Sequence, residues 1–577
     1  MINIDKRVLN FLVIILFSFA TFWWTFFIFH IPFDLYLVIG VIFIRMIASV
    51  FIYNDYSLSW SKASQKTFLI KSFVYIIAFL AYMPFFYGEV RFAFLASELF
   101  LYIFLINFTM YFYYYIVNKS NIAKTKSVVI YGAGKAGIKL ESEFNQTEYK
   151  VKYFVDDDKS IHCRSIDGIK VLSKENLKRQ IGENKLDLLV IAMPSAQKDR
   201  IKEIYQKLSN YFKKIQVLPS ISEILEGKDF STQLKDISVE DLLARHPKDL
   251  DKVKISEFIK DKVVLVTGAG GSIGSEICRQ CKIFGVKKLI VLDHSEFNLY
   301  SIVEELDGIE VIPVMQSIIN LDAIDNTFKT HMPEIVIHAA AYKHVPLVES
   351  NIGEGILNNV VGTKNVIDTS IKYGAEKVVM ISTDKAVRPT NVMGTTKRIC
   401  ELYAQNSNGA GTDIVAVRFG NVLGSSGSVI PKFKAQIENG QNITVTHKDI
   451  TRYFMLIPEA CELVLQAASI GTGGEIFILD MGEPIKIVDL ANKMIELSGN
   501  ENIKIEFTGL RPGEKLYEEL LIDGSDAKTD YKSITVASPT AYDLDRLNED
   551  IKELLACENK LEKLKEIVPE FNHQKNI

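Results

Sequence analysis

The chain has 577 residues, of which 24% are charged and 48% hydrophobic, and it carries a formal net charge of −4. That length exceeds one domain, the hydrophobic content excludes disorder, and an acidic soluble part without a basic stripe argues against a nucleic-acid partner. The average hides a split: residues 1–117 hold only twelve charged side chains, five acidic and seven basic, so a wholly soluble protein is excluded as well. Six cysteines in a chain this long make no disulfide framework and suit a reducing compartment.

The first element is a run without charge, residues 8–33, VLNFLVIILFSFATFWWTFFIFHIPF. It is long enough to cross a hydrocarbon core of about 30 Å. A cleaved signal peptide fits less well, because the run is too long, no A-x-A site follows and further apolar runs come after it. Those runs, 34–54, 67–87 and 92–117, predict four membrane spans. Lys6, Arg7, Lys62, Lys66, Lys119, Lys124 and Lys126 fall on one side of them, and only Arg91 on the other. By the positive-inside rule both termini are expected to be cytoplasmic, with a multi-pass anchor in the inner membrane and membrane lipid as a partner. Arg45 lies mid-span. It either pairs with Glu98 of the fourth span or snorkels from a tilted helix. Lys71, near a span end, needs only to snorkel.

Residues 118–245 open with SVVIYGAGKAGIKL, a strand followed by Gly132, Gly134 and Gly137 in G-x-G-x-x-G spacing and then a helix pattern. Such a turn lets a phosphate approach a helix N-terminus. Asp156 follows nineteen residues on, and LDLLVIAMP (186–194) reads as another parallel strand. The unit reads as an accessory Rossmann-like domain that either binds a nucleotide or serves assembly and positioning. A charged stretch with a short helix near 239–245 leads into a linker over 246–259.

Residues 260–577 carry the strongest pattern. KVVLVTGAGGSIGSEICRQC is a strand (263–267), a turn with Gly268, Gly271 and Gly274 after Thr267, and a helix. A second apolar strand, KLIVLD, ends at Asp293, nineteen residues after Gly274. An acid there accepts hydrogen bonds from ribose hydroxyls and repels a 2′-phosphate, which favours NAD over NADP. Further strands are expected at 310–315, 334–341, 377–383 and 413–420, with helical patterns between them. The expected class is therefore α/β: four N-terminal transmembrane helices, an accessory Rossmann-like domain, and a doubly wound parallel sheet with a smaller substrate lobe. Thr383, Asp384 and Lys385 follow the end of a strand, where ligands bind in such sheets. An acid beside a base at that place can move protons on and off a substrate.

These residues resemble the extended short-chain dehydrogenase/reductases, through T-G-x-x-G-x-x-G and a Ser/Thr…Tyr-x-x-x-Lys constellation. More narrowly, the chain resembles the CapD-like, membrane-bound UDP-N-acetylglucosamine 4,6-dehydratases of polysaccharide biosynthesis. The matching strings are DLLAR, VTGAGGSIGSE, HAAAYKHVPLVE, NNVVGT, STDKAVRPTNVMGTTKR, VRFGNVLGSSGSVIP, ITRYFM and GLRPGEKLYEE, in order over 241–519. The resemblance implies an NAD-dependent lyase. Its cofactor residues are Thr267, Gly268, Gly271, Ser272, Ile273, Gly274, Asp293, Ser317, Ala339, Ala340, Ala341 and Lys397. Its catalytic residues are Thr383, Asp384, Lys385, Met393 and Lys397. A UDP-sugar is expected on Lys343, Asn421, Lys432, Arg452, Arg511 and Glu514; two arginines and a lysine suit a diphosphate. In the implied cycle Asp384 protonates the leaving hydroxyl on carbon 6 and Lys385, as the neutral amine, takes the proton on carbon 5; the reverse assignment is chemically possible. Thr383 holds the 4-hydroxyl.

Two positions depart from the wider pattern. Met393 stands where the Tyr of Tyr-x-x-x-Lys is usual, and a thioether takes no proton; the long membrane-bound members commonly carry Met there. Residues 316–320 read QSIIN in place of an acidic string, so Ser317 replaces a stronger adenine acceptor. No metal is expected. Cys278 and Cys281 lie on a helix with no second pair and read as packing, and His338 and His344 as positioning groups. The resemblance also implies a homo-oligomer and contact with a downstream aminotransferase. The alternatives are a UDP-N-acetylhexosamine 4-epimerase, which typically has Tyr at 393 and no Asp-Lys pair, and an NAD-binding scaffold without turnover.

Overall fold

The protein is seen in a computed structural model that describes residues 6–60, 63–86, 88, 90–118, 122–182, 185–219, 230–243, 249–407, 411–500, 502–520 and 527–573. Lys62 and Lys119, used above for orientation, lie outside them, as does Arg245 of DLLAR. The chain forms two compact units, Met1–Lys124 with Asn145–Glu148, and Thr125–Phe144 with Tyr149–Ile577.

The first unit holds helices α1 (Lys6–Phe29), α2 (Leu35–Phe51), α3 (Gln65–Phe86) and α4 (Phe92–Asn118). Three stretches, Leu9–Phe29, Gln65–Phe86 and Phe92–Val117, are long and apolar enough to cross a membrane. The second expected span is shorter than its apolar run. Asp34 caps the start of α2 by accepting from the backbone N–H groups of Tyr36 and Leu37, and the helix ends after 17 residues, which at 1.5 Å each is about 26 Å. The chain then turns through Asp55–Ser57.

Of the two readings of Arg45, the structure shows the pair. Arg45 Nη2 donates to Glu98 Oε2 at 2.6 Å and Nη1 to Oε1 at 3.1 Å, with Ser18 Oγ at 3.0 Å from Nη1. Both charged side chains are fully buried. The snorkelling expected of Lys71 is corrected: its side chain is buried and Nζ lies 2.9 Å from Asp55 Oδ2. The same carboxylate accepts from Tyr75 and Ser49. A buried charge without a partner is strongly destabilising, so each cation needs the carboxylate it has.

Among the described residues the second unit contains two large sheets and three two-stranded ones. β1 (Lys126–Tyr131), β2 (Tyr149–Val155), β3 (Ser165–Ile166), β4 (Ile169–Leu172), β5 (Leu186–Ile191), β6 (Phe212–Val217) and β7 (Lys235–Asp236) form the first, in the order 3-4-2-1-5-6-7. β8 (Val263–Thr267), β9 (Lys288–Asp293), β10 (Glu310–Met315), β11 (Ile335–His338), β12 (Lys377–Thr383) and β13 (Asp413–Phe419) build most of the second. After them come β14 (Asn421–Val422), β15 (Ile443–Val445), β16 (Thr451–Arg452), β17 (Phe454–Met455), β18 (Ile476–Leu479), β19 (Ile485–Lys486), β20 (Ile505–Phe507), β21 (Ala527–Lys528) and β22 (Ile534–Val536).

The second sheet runs 10-9-8-11-12-13-18-22-21. Its first seven strands are parallel, and β22 and β21 are antiparallel additions. Runs such as VVLVT and IVIH are apolar throughout because helices bury both faces of a parallel sheet. The order reverses between β8 and β11, which opens a crevice at the strands' carboxyl ends. Three expected strands stop early, at Ile191, His338 and Phe419, so Ala339–Ala341 and Gly420 lie in loops at that edge.

The pairs β14·β17, β15·β20 and β16·β19 belong to a smaller lobe around Phe433, Ile443 and Leu490. The stretch expected as a linker is structured from Asp249 onward. Helix Lys252–Ile259 packs Ile255 and Ile259 into the core under the second sheet, and Asp249 accepts from the Ser533 backbone N–H at 3.0 Å. Its apolar positions, masked by the surrounding charges, make it part of the fold.

Candidate active site

The glycine turn after β8 is shaped for close approach. Gly268 has φ +66°, and a Cβ there would lie 2.8 Å from the Ala340 backbone; one on Gly274 would lie 2.1 Å from the Gly268 carbonyl oxygen. Gly271 is the N-cap of helix Ser272–Ile283, and an N-terminus of this kind suits a phosphate. Asp293 ends β9, with Oδ2 accepting from Gly270 N and Oδ1 from Ser295 N, both at 2.9 Å. These bonds fix the carboxylate beside the turn and leave lone pairs for ribose hydroxyls. Ser317 accepts from Ile319 N in the loop after β10, and Ile273 packs on the core. Ser272 Oγ accepts from the Ser426 N–H at 3.2 Å.

Thr267 does not face the crevice. It is fully buried, and its hydroxyl lies 2.7 Å from His338 Nδ1, while His338 Nε2 meets the Thr363 hydroxyl at 2.9 Å. Burial, with the Lys397 charge adding to it, pushes His338 down to about 3. The ring is therefore neutral and ties the start of the crevice together, a positioning role.

Thr383, Asp384 and Lys385 turn off the end of β12. Thr383 caps the short helical turn Asp384–Ala386. Asp384 is fully buried; its Oδ1 accepts from Thr383 Oγ1 and from Lys385 Nζ, each at 2.9 Å, and its Oδ2 has no hydrogen-bond partner among the described residues. Lys385 Nζ also donates to Asn421 Oδ1 at 3.2 Å. Burial works to lower the Lys385 pKa, but Asp384 and Glu518 outweigh it and the net direction is upward. These neighbours favour the ammonium form of Lys385, opposite in direction to the neutral amine expected from the sequence.

Met393 and Lys397 sit one turn apart on helix Val392–Asn406, both buried. Met393 packs in the apolar layer with Val392 and Tyr403. Burial lowers the Lys397 pKa.

A cavity of about 270 Å³ opens beside Lys385. Lys343, Asn421, Lys432, Arg452, Arg511 and Glu514, the six residues proposed from separate motifs, all line it. Burial lowers Lys343 and Lys432, and at Lys432 the Arg511 charge adds to it. Glu514 is used locally, accepting from Arg511 N and Thr446 Oγ1. Arg452 is clamped by the carbonyls of Thr451 and Lys515 at 2.7 and 2.8 Å. Sequence reasoning missed Glu518, which lines the cavity with Oε1 3.9 Å from Lys385 Nζ. It also missed Glu401, beneath β12, which binds Ser382 and Arg418 and which these partners hold at about 2 against the effect of burial. Cys278 and Cys281 are buried core thiols, and no metal-binding cluster occurs among the described residues.

Comparison with known proteins agrees with this layout. A family model described as polysaccharide biosynthesis protein matches residues 264–539, and one described as C2185-like, N-terminal, matches 124–223. The chain is 45% identical to the probable polysaccharide biosynthesis protein EpsC of Bacillus subtilis, over 70% of each chain. It is 47% identical to the capsular polysaccharide biosynthesis protein CapD of Staphylococcus aureus, over 70% of this chain and 69% of that one. The chain belongs to the polysaccharide biosynthesis protein family. UDP-glucose 4-epimerase of Rickettsia rickettsii is 34% identical over 47% of this chain and 80% of its own. The family match contains the glycine turn, the Thr383–Lys385 turn and every cavity residue named above.

Proposed function

We propose that this family member is a membrane-anchored, NAD-dependent 4,6-dehydratase that converts UDP-N-acetylglucosamine to a UDP-4-keto-6-deoxy-hexosamine, with its catalytic part in the cytoplasm. The observation that carries the reading is the pair of buried Asp384 and half-buried Lys385, held by Thr383 and opening on a cavity lined by cations. Gly268, Gly271, Gly274, Asp293, Ser317, Ala339–Ala341 and Lys397 are the residues to hold the dinucleotide. NAD supplies the reversible two-electron exchange that leaves the overall reaction redox-neutral.

The chain's own groups then have to handle two protons. Dehydration moves the 4-hydroxyl proton onto the departing 6-hydroxyl, and it lifts and returns the proton on carbon 5. Asp384, with one oxygen free of partners among the described residues, is suited to both halves of the first transfer. Its carboxylate takes the 4-hydroxyl proton, and its carboxyl gives that proton to the leaving oxygen. A tyrosine at 393 is then unnecessary. Lys385 is the group for carbon 5, once it has lost a proton. Lys343, Lys432, Arg452 and Arg511 face the diphosphate.

An epimerase is the second reading, favoured by the relatives of that name. It has no use for the Asp384–Lys385 pair, because no water leaves. Full-length protein incubated with UDP-N-acetylglucosamine separates the two: a product lighter by one water supports dehydration, and a product of unchanged mass supports epimerisation.

A further inference from the structure

We propose that Glu518 is the proton acceptor that unloads Lys385, taking the ammonium proton before the amine acts on carbon 5. The inference rests on the dehydratase reading. Its side chain is almost entirely buried, yet it lines the catalytic cavity. Oε1 lies 3.9 Å from Lys385 Nζ and 3.8 Å from Arg452 Nε, and Oε2 has no hydrogen-bond partner among the described residues. A buried carboxylate oxygen left without a donor is unfavourable unless it takes one up during function. Asp384 is the nearer carboxylate, at 2.9 Å, but the 4-hydroxyl proton occupies it.

The geometry suits a transfer that is made and then reversed. Arg452 faces Glu518 and is itself clamped by backbone carbonyls, which holds the carboxylate beside Lys385 Nζ. Burial and the Asp384 charge raise the Glu518 pKa, which brings it toward that of a proton acceptor for an amine. In the step, an N–H bond of the Lys385 ammonium breaks, its electron pair stays on nitrogen, and an O–H bond forms on Glu518. The neutral amine then takes the carbon-5 proton, whose bonding pair enters the enolate. Return of that proton to carbon 5, and of the stored proton to Lys385, resets the site with no net change.

The test compares full-length wild type with Glu518→Gln and Glu518→Asp on UDP-N-acetylglucosamine in heavy water. For Glu518→Gln the expected result is a kcat at least about 100-fold lower, within the range for losing a proton-transfer group. KM stays near wild type, deuterium uptake at carbon 5 falls with kcat, and the near-ultraviolet absorbance of reduced nicotinamide rises on adding substrate. Glu518→Asp, which keeps an ionisable group, recovers part of kcat. A Glu518→Gln kcat equal to wild type, or a loss confined to KM, overturns the inference while leaving the dehydratase reading intact. Should the Gln variant not fold, Glu518→Asp decides: a lowered kcat at constant KM supports the proposal and an unchanged kcat overturns it. A wild type that releases no water overturns both.

Discussion

The two Rossmann sheets of the second unit share the same turn and differ in what stands beyond it. A Cβ on Gly137 would lie 1.9 Å from the Gly132 carbonyl oxygen, and one on Gly274 would lie 2.1 Å from that of Gly268. Asp156 accepts from Ala133 N at 2.8 Å much as Asp293 accepts from Gly270 N at 2.9 Å. At the strand ends the likeness stops. In the first sheet Asp157 is satisfied by Tyr131 at 2.8 Å, by Lys174 at 2.9 Å and by Arg200. These partners hold it at about 2 against its partial burial. In the second sheet Asp384 and Glu518 each keep a buried oxygen without a partner among the described residues, beside a cavity. A glycine turn reports how a strand enters a helix; chemistry resides where buried polar groups are left unsatisfied.

The largest effect should come from the Asp384–Lys385 pair. Asp384→Asn and Lys385→Ala are each expected to lower dehydration by at least about 100-fold, while Asp157→Asn leaves turnover within about twofold. Product assays on the three variants check this, and an Asp157→Asn loss as deep as Asp384→Asn breaks the comparison.

The next effect is on stability. His338 is neutral in the folded protein down to about 3, against 6.5 for the free group. The unfolded chain therefore binds the extra proton first, and stability rises with pH across that window. It is fully present above about 6.5 and lost as pH falls toward 3, with a slope from this one group of about 1.4 kcal/mol per pH unit. Denaturant melts at several pH values should show the slope, and His338→Gln should remove it. In the first sheet Asp157, held at about 2 against 3.8, acts in the same direction but only below about pH 3.8.

The smallest effect distinguishes the two matching acids. Asp293→Asn should weaken NAD binding about tenfold, or about 1.4 kcal/mol, and Asp156→Asn should leave it unchanged. Titration of the full-length variants checks both. Equal losses would show that the first turn holds the nucleotide too.

Much of this was legible in the residues, for physical reasons that also mark where legibility ended. Strands 263–267, 288–293 and 377–383 coincide with the apolar runs, because parallel strands buried on both faces have no other way to be written; 310–315 coincides too, although it is a half-exposed edge strand. The cavity residues came from motifs far apart in the chain that the lobe brings together. Composition failed where a charge is buried by a distant partner. Lys71 reads as a cation near a span end that needs only to snorkel, yet it is buried against Asp55. Glu518 and Glu519 are neighbours in one acidic pair; Glu518 faces Lys385 and Glu519 faces Arg388 nearer the surface. No periodicity separates two such residues, because the difference lies in which side of a loop meets the cavity.

In the proposed reaction one site removes the hydrogen of carbon 4, expels the 6-hydroxyl and delivers that same hydrogen to carbon 6. UDP-N-acetylglucosamine carrying deuterium at carbon 4 tests it in a single product spectrum. The account predicts a sugar that has lost water and carries the label on carbon 6; a sugar of unchanged composition with the label still on carbon 4, or a label lost to solvent, would contradict it.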